Sequence, residues 1–204
     1  MLALVRACQQ RVACHLGGGA ALSGAHFAHR LSGDVDLFCH RASEVRELAR
    51  QLDDAAREAG VEVRIVRDAG TFVRAAVTGP SLQMELDVVF ESTPDVEPPP
   101  PMIDGVVVES LADLRAAKLT CILSRSEPRD LVDLCFLDRA GLPPEADLIL
   151  ALRKDAGIDP GILAMLLEQF PTSPLPSMLV PFDERELRAF RSDLRERFRS
   201  VAVP

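Results

Sequence analysis

The stretch from His15 to Phe38, HLGGGAALSGAHFAHRLSGDVDLF, constrains this chain more than any other. Asp34 and Asp36 stand two apart inside a short apolar run. On a β-strand, residues i and i+2 point to the same face, so the two carboxylates project side by side. Two anions held that close repel each other unless a cation lies between them. A hard, oxygen-liganded divalent ion such as Mg²⁺ supplies that cation. Upstream, Gly17-Gly18-Gly19 exposes bare backbone N–H groups of the kind that cradle phosphate. The stretch therefore points to metal and phosphate together.

The length of 204 residues allows one sizeable core, or an α/β domain with a helical appendage. No window reaches about 18 consecutive apolar residues, so no membrane span is expected. The first residues, MLALVRACQQRVACHLGGG, lack the charged-then-apolar order of a secretory signal, and a cytoplasmic location is expected. Five cysteines without CxxC pairing read as small buried hydrophobes in a reducing compartment. The net charge of −8 argues against a broad nucleic-acid footprint. Yet Arg6, Arg11, Arg30 and three of the four histidines fall in the first 30 residues, where no acid occurs. Those three arginines leave −11 on the remainder, and the locally basic segment is a candidate to hold a triphosphate or an RNA end.

Hydrophobic spacing predicts an opening helix over 2–14, a second over 20–30, and a short strand over 35–38. A helix over 42–59 follows, with Ser43 as N-cap and Gly60 as stop. Strands are predicted at 61–67, 72–78 and 82–90, the last two joined by a hairpin at Gly79-Pro80. The prolines Pro94 and Pro98 to Pro101 mark a stiff extended linker. A short strand at 106–108 precedes helices at 110–124, 128–138, 144–155, 159–170 and 183–199. The expected fold class is α+β, a small mixed sheet flanked by helices and followed by a helical C-terminal part.

Asp34 and Asp36 need a third carboxylate to hold two ions, and Asp87, on the polar face of the 82–90 strand, is the candidate. Three carboxylates around two metals suit an in-line phosphoryl displacement, with Asp87 also helping to deprotonate the attacking hydroxyl. Of the 23 basic side chains only Lys118 and Lys154 are lysine. A lysine ammonium suits a triphosphate, and a lone helix lysine equally suits a solvated surface. Asp130 and Asp133 read either as pocket residues or as helix-surface ion pairs. Arg30 either reaches phosphate or pairs with a site carboxylate.

These residues carry a resemblance. The run from Leu16 to Phe38 resembles the opening motif of the AbiEii/AbiGii nucleotidyltransferase toxins, roughly GGTAL followed by HRxSxDxDLF. Gly18-Gly19-Ala20-Ala21-Leu22 and His29-Arg30, Ser32, Asp34, Asp36-Leu37-Phe38 stand in those places. Met84-Glu85-Leu86-Asp87 is similar to the family's third-carboxylate strand. Lys118, Arg125, Arg129, Asp130, Asp133 and Leu134 match its helical motif, a lysine, an arginine, then RDxxDL.

The resemblance implies a DNA-polymerase-β-like fold, with residues 1–108 as the nucleotidyltransferase core and 109–204 as a helical region completing the nucleotide pocket. It implies that Asp34, Asp36 and Asp87 bind Mg²⁺ (or Mn²⁺), and that Gly18, Gly19, Arg30, Ser32, Lys118 and Asp130 serve the nucleotide. Ala20 replaces the family's usual threonine and removes a hydroxyl from the loop.

The implied reaction moves an NMP from an NTP to an acceptor hydroxyl. The implied context is a toxin acting on the tRNA 3′ end, with a cognate antitoxin as partner. Two alternatives stand beside it: nucleotidylation of a protein or small molecule, and a nucleotide- or partner-binding module with weakened catalysis.

Overall fold

The computed structural model of the chain describes residues 1–80, 82–97 and 100–202. Pro98 and Pro99 of the expected proline linker lie outside the described residues. The chain forms two compact units: Met1–His26 with Ser32–Ser110, and Phe27–Leu31 with Leu111–Pro204. The expected α+β class is borne out, with a mixed sheet first and helices after it.

The first unit contains helix α1 (Leu2–Gln9), strand β1 (His15–Gly17) and helix α2 (Gly18–Ala20), which runs into a π-helical stretch from Ala21. It continues with β2 (Asp34–Cys39), α3 (Ala42–Glu58), β3 (Glu62–Asp68), β4 (Phe72–Gly79) and β5 (Leu82–Phe90). A small hairpin of β6 (Met102–Ile103) and β7 (Val106–Val107) closes it. The main sheet has the order β1-β2-β5-β4-β3, with β2 and β5 parallel and the other pairs antiparallel.

Alternation decides which face is the core. Val35, Leu37 and Cys39 of β2, Val73, Ala75 and Val77 of β4, and Leu86 and Val88 of β5 are buried together on one face. Helix α3 covers that face with Val45, Leu48, Leu52 and Ala56, which recur at helical spacing and are all buried. The opposite face carries Asp34, Asp36, Arg74 and Asp87.

Four local expectations change. The opening helix ends at Gln9, where the glutamine amide donates to Val107 O at 2.8 Å and accepts Val107 N–H at 2.9 Å, in the manner of a strand. Residues 15–17, for which no strand was expected, form β1 along β2. The N-cap of α3 is Arg41, not Ser43, and Glu44 three residues on accepts the Arg41 amide at 3.0 Å. Strand β3 is the outer strand of the sheet among the described residues, and its Ile65 and Val66 are exposed.

The second unit contains α4 (Leu111–Ser124), α5 (Pro128–Arg139), a 3₁₀ turn (Pro144–Asp147), α6 (Leu148–Lys154), α7 (Pro160–Glu168) and α8 (Glu184–Ala202). Pro128 and Pro160 sit in the first turns of their helices, where a missing N–H costs nothing. Asp159 caps α7 by accepting Ile162 N–H at 2.9 Å. Leu187, Leu194 and Phe198 form the buried stripe of α8, and Phe190 at the same spacing is half-buried. Phe27–Leu31 joins this unit through backbone bonds: Leu31 N–H donates to Ser177 O, and Leu179 N–H to His29 O, both at 2.8 Å. Among the described residues, no helix is long and apolar enough to cross a membrane.

Leu86 is fully buried and pairs with Val35 on one side and Ala75 on the other. Truncation to alanine removes three carbons from the centre of the sheet core. Leu86→Ala should lower the unfolding free energy by about 3 kcal/mol, read as a lower urea midpoint at unchanged slope.

Candidate active site

The parallel register of β2 and β5 sets Asp36 opposite Asp87 and Asp34 opposite Glu85. Paired residues in neighbouring strands face the same way, so three aspartates and a glutamate rise from one side of the sheet. Antiparallel pairing places Arg74 of β4 opposite Asp87. Its guanidinium grips the carboxylate in a two-pronged bond, Nε to Oδ1 at 2.8 Å and Nη2 to Oδ2 at 2.6 Å. A further contact runs from Arg74 Nη1 to Glu85 Oε2 at 3.4 Å. The bond to Asp87 and its negative charge raise the arginine pKa above its ordinary value. Ser32 Oγ donates to Asp34 Oδ1 at 2.9 Å and fixes that carboxylate.

This donor set fits a divalent ion of the Mg²⁺ class. It offers only carboxylate oxygen, from neighbouring strands and on one face. Each Asp87 oxygen accepts one bond from Arg74 and has further lone-pair capacity for an ion. The side chains are not drawn tight around a point. Among the described residues, the three-member group of ligand atoms all within 4.8 Å of one another is His15, His40 and Asp95.

The glycine run meets this face directly. Gly18 has φ +61, and a Cβ there would lie 2.3 Å from Asp36 Oδ2, so only glycine lets the loop approach the carboxylate. A Cβ on Gly17 would lie 2.5 Å from the Phe38 ring and 2.7 Å from Glu109 Oε2. Glu109 is buried, and its Oε2 lies 3.4 Å from the Gly18 amide. The bare amide therefore faces an anionic oxygen, the preference that makes such loops phosphate cradles. Ser23 Oγ donates to the Gly19 carbonyl oxygen at 2.6 Å. Ala20 is buried in the first helical turn.

The remaining predicted site residues gather in the second unit, where Asp133 is the hub. It is fully buried on α5 and accepts Arg30 through Nε and Nη2, each at 2.7 Å. His29 Nε2 lies 2.9 Å from Oδ1, and Lys118 Nζ 2.7 Å from Oδ2. Lys118 also donates to Asp130 Oδ1 at 2.8 Å, and Arg125 closes the cluster through Nε to Asp130 Oδ2 at 2.8 Å.

Burial alone would push both carboxyls up. For Asp133, the charge of Lys118 and the bonds from Arg30 and His29 outweigh it and hold the carboxyl well below the usual range. For Asp130, bonding to Arg125 and the charge of Lys118 do the same. Burial would likewise lower Lys118, but Asp133 and then Asp130 hold its ammonium above its ordinary value.

Several open readings are thereby decided. Asp130 and Asp133 are not surface ion pairs, and Lys118 is not surface decoration, since each is almost wholly buried. Arg30 pairs with a carboxylate, that of Asp133. Most of the basic opening segment is turned inward, with Arg6 left exposed. Arg11 pairs with Glu58 at 3.1 Å, Arg30 is enclosed, and His15 and His29 are buried. Formal charge along a sequence counts these groups without their partners.

Sequence reasoning missed Arg74 and Glu109. The signal for Arg74 was present: counting back along the hairpin from Gly79 and Leu82 lands Arg74 opposite Asp87. Nothing local marks Glu109, which reaches the glycine run through the backbone bond from its amide to Leu16 O at 2.8 Å.

Comparison with known families decides the identity. The model of the nucleotidyl transferase AbiEii toxin, type IV toxin–antitoxin system, matches residues 2–202. The chain belongs to this family. It is thus a nucleotidyltransferase-family toxin of a toxin–antitoxin system. Similar solved structures include JHP933 from Helicobacter pylori, with a TM-score of 0.65 at 20% identity, covering 98% of this chain and 90% of that one. The nucleotidyltransferase toxin MenT4 from Mycobacterium tuberculosis superposes with a TM-score of 0.57 at 19% identity, covering 96% and 83%. At such identities the likeness concerns the fold. Among curated proteins no match is found.

The Asp133 hub generates a stability test. Asp133→Asn leaves Lys118, Arg30 and His29 facing a neutral amide and should cost about 3–5 kcal/mol. The folded carboxyl titrates below its unfolded value of about 3.9. Its contribution is therefore present above that value and is lost as pH falls through the depressed folded one. Denaturant melts from pH 7 to pH 2 should show wild type and Asp133→Asn converging only on the acid side.

Proposed function

We propose that the AbiEii-family chain transfers an NMP from an NTP to a hydroxyl acceptor, using the sheet face of Asp34, Asp36 and Asp87. The observation that carries this reading is the register of Asp36 with Asp87, beside a glycine that no other residue can replace without displacing Asp36. Asp34, Asp36 and Asp87 would hold Mg²⁺ (or Mn²⁺), which neutralises triphosphate charge and steadies the attacking and leaving oxygens. The acceptor oxygen forms a bond to the α-phosphorus, the bond to pyrophosphate breaks, and Asp87 receives the hydroxyl proton. Gly18 and Gly19 offer amides to phosphate, and Ser32 orients Asp34. Arg74 holds Asp87 and offsets the crowding of carboxylates. Lys118, Arg30 and Asp130 belong to the nucleotide-handling set that the family motif implies, with Lys118 and Arg30 held in place by Asp133.

The favoured acceptor is the 3′ end of tRNA, on the resemblance of the motifs, and the biological partner is a cognate antitoxin. A second reading is a nucleotide-binding module with little turnover. Two observations favour it: Ala20 in place of threonine, and the enclosure of Lys118 between two carboxylates.

Incubation with each labelled NTP, Mg²⁺ and total tRNA should label RNA. Label on protein or a small molecule would move the acceptor, and NTP binding without any transfer would support the second reading. Asp36→Ala should reduce transfer at least 10³-fold (an order-of-magnitude expectation for losing one carboxylate of the clamp) with an unchanged circular dichroism spectrum. Survival of activity would sink the carboxylate assignment. Gly18→Ala should also impair transfer, by roughly ten-fold or more, because a positive φ and a contact with Asp36 both oppose a side chain there.

A further inference from the structure

Strand β2 ends at Cys39, and the next residue, His40, continues the alternation that runs through Asp34, Asp36 and Phe38. Across the β1–β2 pair, His15 stands opposite Phe38 and stacks on its ring at 5.8 Å between centroids. The His15 and His40 rings lie 5.5 Å apart. Asp95, from the segment after β5, reaches the same place, with its Oδ1 3.1 Å from His40 Nε2. One ligand atom from each of the three side chains lies within 4.8 Å of the other two. Beside them opens a cavity of about 470 Å³, lined by Val12, Cys14 and Val107 as well as the three polar residues.

The hydrogen bonding of His40 defines what this site can take. Its Nδ1 lies 3.1 Å from the Glu91 carbonyl oxygen, which can only accept, so Nδ1 carries the hydrogen. In the neutral ring Nε2 is then a bare lone pair, and it faces the lone pairs of the Asp95 carboxylate. Two acceptors at that distance repel unless a proton or a cation lies between them. A backbone carbonyl holding the far nitrogen of a histidine is also the usual outer support of a metal ligand, because it fixes the tautomer and aims the ring.

The distances accommodate an ion. Ligand atoms about 2.0–2.1 Å from a tetrahedral Zn²⁺ stand about 3.4 Å from one another. His40 Nε2 and Asp95 Oδ1 are already close to that separation. Cys14 also lines the cavity, but among the described residues its sulfur does not join the group of ligand atoms within 4.8 Å of one another.

We propose that His15, His40 and Asp95 bind a borderline transition-metal ion, Zn²⁺ foremost, with the coordination position toward the cavity left for water or another small ligand. Two imidazoles and one carboxylate are the donor set that suits such an ion, and are a poor match for Mg²⁺. The site is distinct from the aspartate pair. Four residues of extended chain, about 13 Å, separate His40 from Asp36, with the Phe38 ring on the same face between them. An ion there would tie the proline-containing segment that carries Asp95 to the end of the strand that carries the aspartates.

The test uses the full untagged chain, stripped with a chelator and titrated calorimetrically with Zn²⁺ in millimolar Mg²⁺. Wild type should bind one equivalent. His40→Gln, at an exposed position, and Asp95→Asn, at a half-buried one, should each weaken binding at least ten-fold, with circular dichroism confirming the fold. Asp36→Ala and Cys14→Ser should bind as wild type does. Substituted Co²⁺ should show the intense visible absorption of a low-coordinate centre in wild type and lose it in His40→Gln. Absence of Zn²⁺ binding by wild type, or equal binding by His40→Gln, would overturn the site. Loss of binding in Cys14→Ser would overturn the ligand set. None of these readouts depends on nucleotidyl transfer.

Discussion

The parallel pairing of β2 with β5 is the constraint on which the first unit depends. Parallel neighbours cannot be joined by a tight turn, so the chain between them must cross over. Here it does so through α3, β3 and β4, and those elements also cover the core face and supply Arg74. The same pairing puts Asp36 beside Asp87, which no contact within either strand would achieve. Carboxylates crowded on one face are repulsive, and the two-pronged bond from Arg74 offsets part of that cost in the protein alone. Register and charge balance are thus one solution: strand pairing concentrates the anions, and the adjacent strand supplies the cation.

The second unit solves a related problem by enclosure. Asp130 and Asp133 are fully buried, and a buried ion is costly unless it is paired and hydrogen-bonded. Helix α5 presents the two aspartates one turn apart, α4 brings Lys118 between them, and Arg30 and Arg125 fill most of the remaining oxygen capacity. Arg30 and His29 arrive from a segment that lies far from α5 in sequence. Such a network contributes little net stability compared with an apolar core, but it specifies a geometry, because removing any partner strands a charge. The family motif of histidine, arginine, lysine and the paired aspartates reads here as one hydrogen-bonded cluster.

Legibility in the sequence followed the range of the interaction. Strand β5 was legible to the residue because apolar and polar residues alternate from Leu82 to Val88, a pattern with no helical counterpart. The helix from Ala42 and its stop at Gly60 were legible from periodicity and a glycine that adopts positive φ. Strand β1 was not, since His15–Gly17 is too short to show a period and exists only because β2 pairs with it. The carboxylates Asp34, Asp36 and Asp87 were legible as candidates from spacing and family motif. Glu109 and the pairing of His40 with Asp95 were not, because each joins segments distant in sequence, whereas Arg74 follows from counting back along the β4–β5 hairpin.

By itself the sequence determined the α+β class, the glycine approach, the side-by-side aspartates and the family, all of which rest on local spacing and residue type. Only the tertiary structure decided which charges are spent on one another. It paired Arg11 and Arg30 of the basic opening segment with acids, enclosed Lys118 between two aspartates, and set Arg74 on Asp87. The physical reason is that a charge acts through its nearest partners and its access to water. Both are properties of the packed chain, and neither is written in the order of its residues.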